Sequence, residues 1–336
     1  MLRSVKNNNG ETRMRAALVT LAFALSLTGA PQAQAQAQAW PTRPVTVIVP
    51  FAAGVTGDIV ARGLVEHLSS AFGQPFIVDN RSGAGGNVGG AAAAKAAPDG
   101  YTLLLATTGP ASSNKLIYKN MPYDPQRDLA PIVLLGKAPV IIVARNSLPA
   151  KDLKEFVEYA RANPGKVTAG YPGNGTQGHI TGELLQSRAG MSFVQTQYRG
   201  SPAIITDLLG EHIDIGMDSM APYVPLIQEN KLRGLAIAGA TRWPVLPGVP
   251  TVAESGFPGF EAAVWYALLA PTGTPSEIIA KLNEAGNTYL NTQPAKDLFQ
   301  KLGIQAAGGT PQQLKAFIDA ELEKWGPIIK GAKIEF

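Results

Sequence analysis

The chain has 336 residues, 45% hydrophobic and 16% charged, which supplies a large core and carries too little charge for a disordered chain. It contains no cysteine and three histidines, His67, His179 and His212, so disulfides, thiolate metal sites, iron–sulfur clusters and a cysteine nucleophile are excluded and no metal site is expected. Of 29 basic and 25 acidic side chains, four and one fall in the first 39 residues, so the rest is nearly neutral and has no electrostatic reason to bind nucleic acid.

The first segment reads as a leader. Arg3, Lys6, Arg13 and Arg15 precede the apolar run Ala16 to Leu27, and a Pro-Gln-Ala stretch ends in Ala37-Gln38-Ala39. That order is a secretory signal peptide over 1–39, cleaved near Ala39, with Met14 as a second candidate start. The run is shorter than the roughly 20 apolar residues that span a bilayer. Nothing later in the chain is long and apolar enough to do so either, so the mature protein, from Trp40, is expected to be soluble outside the cytoplasm.

Beyond the leader, β-branched runs alternate with helical patterns. Strands are predicted at Val45 to Val49, Phe76 to Val78, Thr102 to Ala106, Ile132 to Leu135, Val140 to Ala144, Val167 to Tyr171, Asp214 to Met217, Leu235 to Ala238 and Trp265 to Ala270. Helical spacing marks Ile59 to Phe72, where Val60, Leu64 and Leu68 recur every fourth residue before Gly73, and Leu153 to Ala162, stopped by Asn163-Pro164-Gly165. Strand then helix, repeated, predicts an α/β fold with largely parallel sheets, and the length predicts two domains.

Glycines and prolines cluster at the strand-to-helix junctions, where open parallel sheets meet ligands. Three such loops stand out. Val49 to Asp58 opens the helix at Ile59, and its amides sit at a helix N-terminus that attracts anions. Phe51 is an apolar wall there, and Asp58 is either a structural cap or a partner for a ligand amine. Asn80 to Gly90 is a second glycine loop, in which Arg81 is the nearby guanidinium. The third, Tyr171 to His179, contains Gly173, Gly175 and Gly178 in the spacing of a dinucleotide loop. The acid such a site needs about 20 residues later is missing from Phe193 to Tyr198. It reads instead as a second cradle for a small anion, with Asn174 and Thr176 as side-chain donors.

Catalytic templates fail. Ser112 and Lys115 have S-x-x-K spacing without its companion motifs, and there is no nucleophile elbow, zinc-protease motif or phosphate-loop lysine. His179 and Glu183 share a helix face without a third ligand. No cofactor and no catalytic residue are predicted. Two backbone cradles on separate parts of the chain suit a small molecule bearing a carboxylate.

These loops resemble the solute receptors of tripartite tricarboxylate transporters, the Bug receptors. The likeness spans nearly the whole mature chain: Trp40-Pro41-Thr42-Arg43-Pro44, Ile48 to Gly54, Asp58 to Arg62, Val78 to Asn87, Met121 to Pro125, Gly173 to Thr176, Tyr198 to Pro202, Thr206 to Gly210 and Pro250 to Glu254. It implies a periplasmic receptor with a two-domain, periplasmic-binding-protein-like fold, hinged around an interdomain cleft. Domain one is then 40–139 plus 264–336, and domain two 140–263. By position, the ligand residues implied are Phe51, Ala53, Gly57, Asp58, Thr107 and Thr108 from one side. Gly173, Gly175, Thr176, His179, Arg199, Ser201 and Asp218 come from the other. The implied partners are a small organic acid and integral membrane subunits, with a sensor protein as a further possibility and the receptor itself a monomer. One departure stands out: the family's Gly-Gly-Pro-Thr-Asp is Gly54-Val55-Thr56-Gly57-Asp58 here, and Val55 does not tolerate the positive φ open to glycine. Two alternatives remain on the residues alone: an exported hydrolase using His179 with Asp218 or Glu183, and a ligand-binding sensor subunit.

Overall fold

Residues 1–2 and 40–331 are described by the computed structural model, so the expected leader lies almost wholly outside the described residues. The chain then runs β1 (Val45–Val49), α1 (Thr56–Phe72), β2 (Phe76–Asn80), a 3₁₀ turn (Ala84–Gly86), α2 (Asn87–Ala94) and β3 (Thr102–Thr107). A π turn (Gly109–Ser113), α3 (Asn114–Ile117) and α4 (Pro125–Asp128) lead into β4 (Leu129–Arg145). Next come α5 (Leu153–Ala162), β5 (Thr168–Tyr171), α6 (Gln177–Ala189), β6 (Val194–Gln197), α7 (Ser201–Leu209), β7 (Ile215–Ser219), α8 (Val224–Gln228) and β8 (Leu232–Ile237). The last elements are β9 (Ala263–Pro271), α9 (Ser276–Asn291), α10 (Gln293–Lys301), β10 (Gln305–Ala306) and α11 (Pro311–Gly331).

The strands follow the order β2-β1-β3-β9-β4-β7-β5-β6, with β8 and β10 also paired to β4. The expectation of largely parallel sheets needs correcting. The pairs β1 with β2 and β3, and β5 with β6 and β7, are parallel. Every pair that involves β4 or β9 is antiparallel. The reason is that β4 and β9 carry the chain out of one group of strands and back again, which no strand-helix-strand unit can do.

The runs expected as separate strands, Ile132 to Leu135 and Val140 to Ala144, are one continuous 17-residue strand, β4. Its first part pairs with β9 down to Pro139 opposite Ala263. From Val140 onward it pairs with β7 and β8. Proline has no N–H to give to a ladder, so Pro139 is a natural place for the partner to change. The sheet thus has two halves that share β4. The strand β6, which no expectation covered, is polar and mostly exposed and lies at one edge.

Alternation along β4 explains how the second half is buried on both faces. Val140, Ile142 and Ala144 enter one core cluster, with Phe156 of α5 and Ile180 of α6. Ile141 and Val143 enter another, with Ile204 of α7 and Tyr223. Side chains of period two sample both faces, and a strand covered on both sides is apolar throughout. The first half has its own core, built on Ile48, Leu104, Trp265 and Leu269.

Helix α11 joins the cores. Leu314 and Ile318 pack with the first half, while Trp325 and Ile329, a little further along, pack with the second. Among the described residues no helix is long and apolar enough to cross a membrane. Trp325 is 1% exposed, so Trp325→Ala should cost about 3–5 kcal/mol through lost burial and the cavity left behind. Urea denaturation measures this, and a loss below about 1 kcal/mol would show that the helix end is not structural.

Candidate functional site

The parallel pair β1 and β3 and the parallel pair β5 and β7 run in opposite directions in the two halves of the sheet, so their C-terminal ends meet near the middle of β4, and the loops that leave them build one cavity. Phe51 follows β1, Thr107 closes β3 and Thr108 and Gly109 follow it, Pro172 follows β5, and Asp218 and Ser219 close β7. Because β9 is antiparallel to β3, its start contributes Val264 and Tyr266 at the same place. The cavity encloses about 70 Å³, room for some five waters at 10–15 Å³ each, which suits a small molecule.

Three helices begin at its wall. The first residues of α1 (Thr56 and Gly57), of α6 (Gln177 and Gly178) and of α7 (Ser201) all line it, as do the residues just before them, Val55, Thr176 and Gly200. None of the three N-termini is capped by a side-chain hydrogen bond. First-turn N–H groups have no partner inside their own helix, and the aligned peptide dipoles make that end positive. Three such ends on one cavity make a wall whose backbone charge favours an anion.

The loop before α1 settles the Val55 question. Gly54 takes the positive φ, +83°, while Val55 is extended at φ −77° and ψ 162°. The substitution therefore leaves the backbone unstrained. Before α7, Gly200 has φ +140°, and a Cβ there would sit 3.2 Å from Cγ1 of Val55, so the two loops touch across the cavity.

Of the residues singled out from the sequence, Phe51, Gly57, Thr107, Thr108, Thr176, Arg199, Ser201 and Asp218 line this cavity, whereas Ala53, Asp58, Gly173, Gly175 and His179 do not. Asp58 lies in the first turn of α1, where its carboxylate accepts from Gly54 N–H (2.9 Å), Asn80 Nδ2 (3.0 Å) and Arg62 Nε and Nη2 (2.9 and 3.0 Å). Burial alone would raise its pKa, but these bonds outweigh it and hold the carboxyl below its ordinary value. Gly173 accepts the Thr176 hydroxyl at 2.6 Å, a bond that folds the loop on itself. His179 accepts Gly175 N–H on Nδ1 at 3.2 Å and stacks on Tyr171, with centroids 4.5 Å apart. Burial lowers its pKa to about 4, so it is neutral at physiological pH.

The sequence did not reveal a hydroxyl network that crosses the cavity. Thr56 Oγ1, from the first half, is 3.2 Å from Ser219 Oγ, from the second. Tyr266 hydrogen-bonds to both, and burial pushes its phenol well above the ordinary value. Behind Ser219, Asp218 accepts from Ser219 N–H at 2.6 Å and from Tyr223 OH at 3.2 Å. Ser219 sits at a strand end next to Asp218, a position that strand-end logic could have flagged. Tyr266 gave no local signal, because only the antiparallel pairing of β9 brings it here. Gln177 was also missed: it is 2% exposed, and neither of its amide atoms has a hydrogen-bond partner among the described residues. Among the described residues no three His, Asp or Glu side chains gather to hold a metal.

A family model described as tripartite tricarboxylate transporter family receptor matches residues 60–334. Three solved structures are similar over nearly all of their length. Rpa4515 of R. palustris, with adipate, has TM-score 0.85 at 35% identity over 88% of this chain and 100% of that one. The periplasmic binding protein BugD has TM-score 0.83 at 33% identity, again over 88% and 100%. MatC of Rhodopseudomonas palustris, with bound malate, has TM-score 0.82 at 32% identity over 86% and 100%. The α/β fold with its curled sheet is periplasmic-binding-protein-like.

The Asp58 clip yields a pH-dependent expectation. A carboxyl whose folded pKa lies below the unfolded one stabilises the fold above the unfolded value, and that contribution fades as pH falls through the folded value. Asp58→Asn should therefore lose about 1–3 kcal/mol at pH 7, toward the lower end because Arg62 is solvent-exposed. The gap from the parent should shrink on acidification below the ordinary value of 3.8. Urea denaturation at both pH values checks this; a gap that ignores pH would mean that the carboxylate's charge is irrelevant.

Proposed function

The chain belongs to the tripartite tricarboxylate transporter receptor family, and from that premise we propose that it is a periplasmic receptor. It captures a small organic acid by its carboxylate, closes around it and delivers it to the membrane subunits of such a transporter. The observation that carries this reading is the meeting of three helix N-termini, none capped by a side chain, on one cavity walled by both halves of the sheet. A carboxylate there accepts backbone N–H groups that are otherwise short of partners. Phe51, Val55, Pro172 and Val264 offer apolar wall to a short carbon skeleton, and Arg199 is the cation of the lining. Adipate and malate, named with two of the similar structures, are acids of this class. The leader-like first 39 residues support export.

Closure is the mechanism we favour, with 40–139 plus 264–336 as one body and 140–263 as the other. The switch of ladder partner at Pro139 and the start of β9 at Ala263 supply the crossings. Several bonds bridge the halves besides Thr56 to Ser219: Tyr118 OH donates to Asn174 O at 3.1 Å, and Ser113 Oγ to Gly175 O at 3.3 Å. A ligand that touches both walls favours the form in which these bonds exist, by its differential affinity for that form. We assign no catalytic role to His179, whose Nδ1 is engaged by its own loop and which is absent from the cavity wall.

The test is calorimetry and thermal shift on protein stripped of any carried ligand by unfolding and refolding, against adipate, malate, succinate, citrate, aspartate and benzoate. At least one acid should bind with micromolar Kd, about −8 kcal/mol; failure of all six would overturn the receptor reading. Closure is tested separately at Gly85. This residue has φ +62°, and a Cβ there would overlap the carbonyl oxygen of Asn174 on the opposite loop. Gly85→Ala should weaken binding by about tenfold or more, since 1.4 kcal/mol of strain in the closed form suffices for that. An unchanged Kd would rule out closure through this contact.

A further inference from the structure

The cavity contains one group at odds with an anion site. Among the described residues, Asp218 is the only acid that lines it, and it is 4% exposed. Its partners are all neutral: Ser219 N–H, the Tyr223 hydroxyl, and the hydroxyls of Ser201 and Ser219. Asp58, the other buried acid near the cleft, is clamped by the exposed Arg62, but among the described residues Asp218 has no ion pair.

The groups that face Asp218 from neighbouring elements do not supply a counter-charge. Across β4, the residue paired with it is Ile141. From α1 comes Thr56, and from β9 Tyr266, whose phenol is held neutral by burial, with Asp218 itself contributing. Tyr223, beyond the end of β7, is held neutral in the same way. His179 of α6 is neutral. Arg199, the one cation on the wall among the described residues, is exposed. An anion that enters therefore meets a buried carboxyl with no buried partner, and two like charges in a small dry cavity do not both stay ionised.

We propose that Asp218 takes up a proton as the ligand binds, so that the receptor captures an organic anion and a proton together. The inference rests on the reading of this cavity as an anion site. Burial already raises the Asp218 pKa, against the pull of its hydrogen bonds, to about 6. A second negative charge beside it raises it further. The sign follows: at neutral pH the empty receptor holds mostly ionised Asp218 and the liganded one protonated Asp218, so binding consumes a proton and weakens as pH rises. The hydroxyl network changes with it. A protonated Asp218 donates one hydrogen bond in place of accepting one, to Ser201 or Ser219, and the other oxygen still accepts from Tyr223.

The experiment uses the mature chain with adipate and malate as probes, whose carboxyls, ordinarily near 4, are ionised at neutral pH. Calorimetry at pH 7 and 8 in two buffers of different ionisation enthalpy counts the protons taken up. The expected result is an uptake approaching one per ligand at pH 7, with Kd rising by about tenfold per pH unit above the free Asp218 value. Asp218→Asn should abolish the uptake, flatten the pH profile and bind more tightly than the parent at pH 8. Binding without uptake in the parent chain overturns the proposal and leaves the receptor reading intact, and needs no variant to fold. Weaker binding by Asp218→Asn at every pH, with the uptake retained, also overturns it. If neither probe binds, nor any acid of the wider panel, both readings fall.

Discussion

A peptide N–H in the first turn of a helix has no carbonyl to bond in its own helix, and leaving it buried and unpaired is expensive. In this protein that debt falls due three times at one place, at the starts of α1, α6 and α7. The parallel strands aim their helices so that these starts converge, and glycines at 54, 175 and 200 take the positive φ values that the approach requires. Backbone charge of this kind needs no cluster of lysines, which fits the nearly balanced charge of residues 40–336. The remaining polar groups of the cavity, chiefly hydroxyls, refine a potential that the backbone sets up.

Two buried aspartates near this potential have opposite fates. Asp58 is part of the scaffold: Arg62, Asn80 and the Gly54 amide consume its lone pairs and keep it ionised. Asp218 faces inward among hydroxyls and is pushed toward its neutral form by burial. The difference is not the residue but the available counter-charge. His179 illustrates the same principle from the other sign, since burial leaves it neutral and its ring serves as an acceptor and a stacking partner for its own loop.

The halves of the sheet are tied together by β4, which pairs in both, by the chain that re-enters the first half at β9, and by α11, which packs against both cores. β4 changes ladder at Pro139, β9 begins beside that point, and α11 inserts Leu314 and Ile318 into one core and Trp325 and Ile329 into the other. Close backbone contacts on the cavity side, such as Gly85 against Asn174 and Gly200 against Val55, depend on the absence of side chains. Glycine thus acts in two capacities, turning the chain into a helix start and letting the facing loops touch.

Much was legible in the sequence because local periodicity and turn chemistry determine it. The strand Val45–Val49 and the helix Leu153–Ala162 fall where alternation, apolar spacing and the Asn-Pro-Gly stop place them. The strand-to-glycine junctions marked two of the three helix starts as anion cradles. The third, at Gly200-Ser201, entered only through resemblance, since a short polar strand precedes it and gives no hydrophobic signal. The merging of two expected strands into β4, the antiparallel β4 and β9, and the arrival of Tyr266 beside Thr56 and Ser219 depend on pairings between segments far apart in the chain, which no local pattern encodes. Composition and spacing by themselves determined an α/β chain with glycine loops at its strand-to-helix junctions. Which cradles face one another, and that an uncompensated acid lies between them, were decided by the tertiary fold, because convergence and desolvation are properties of distant segments brought together.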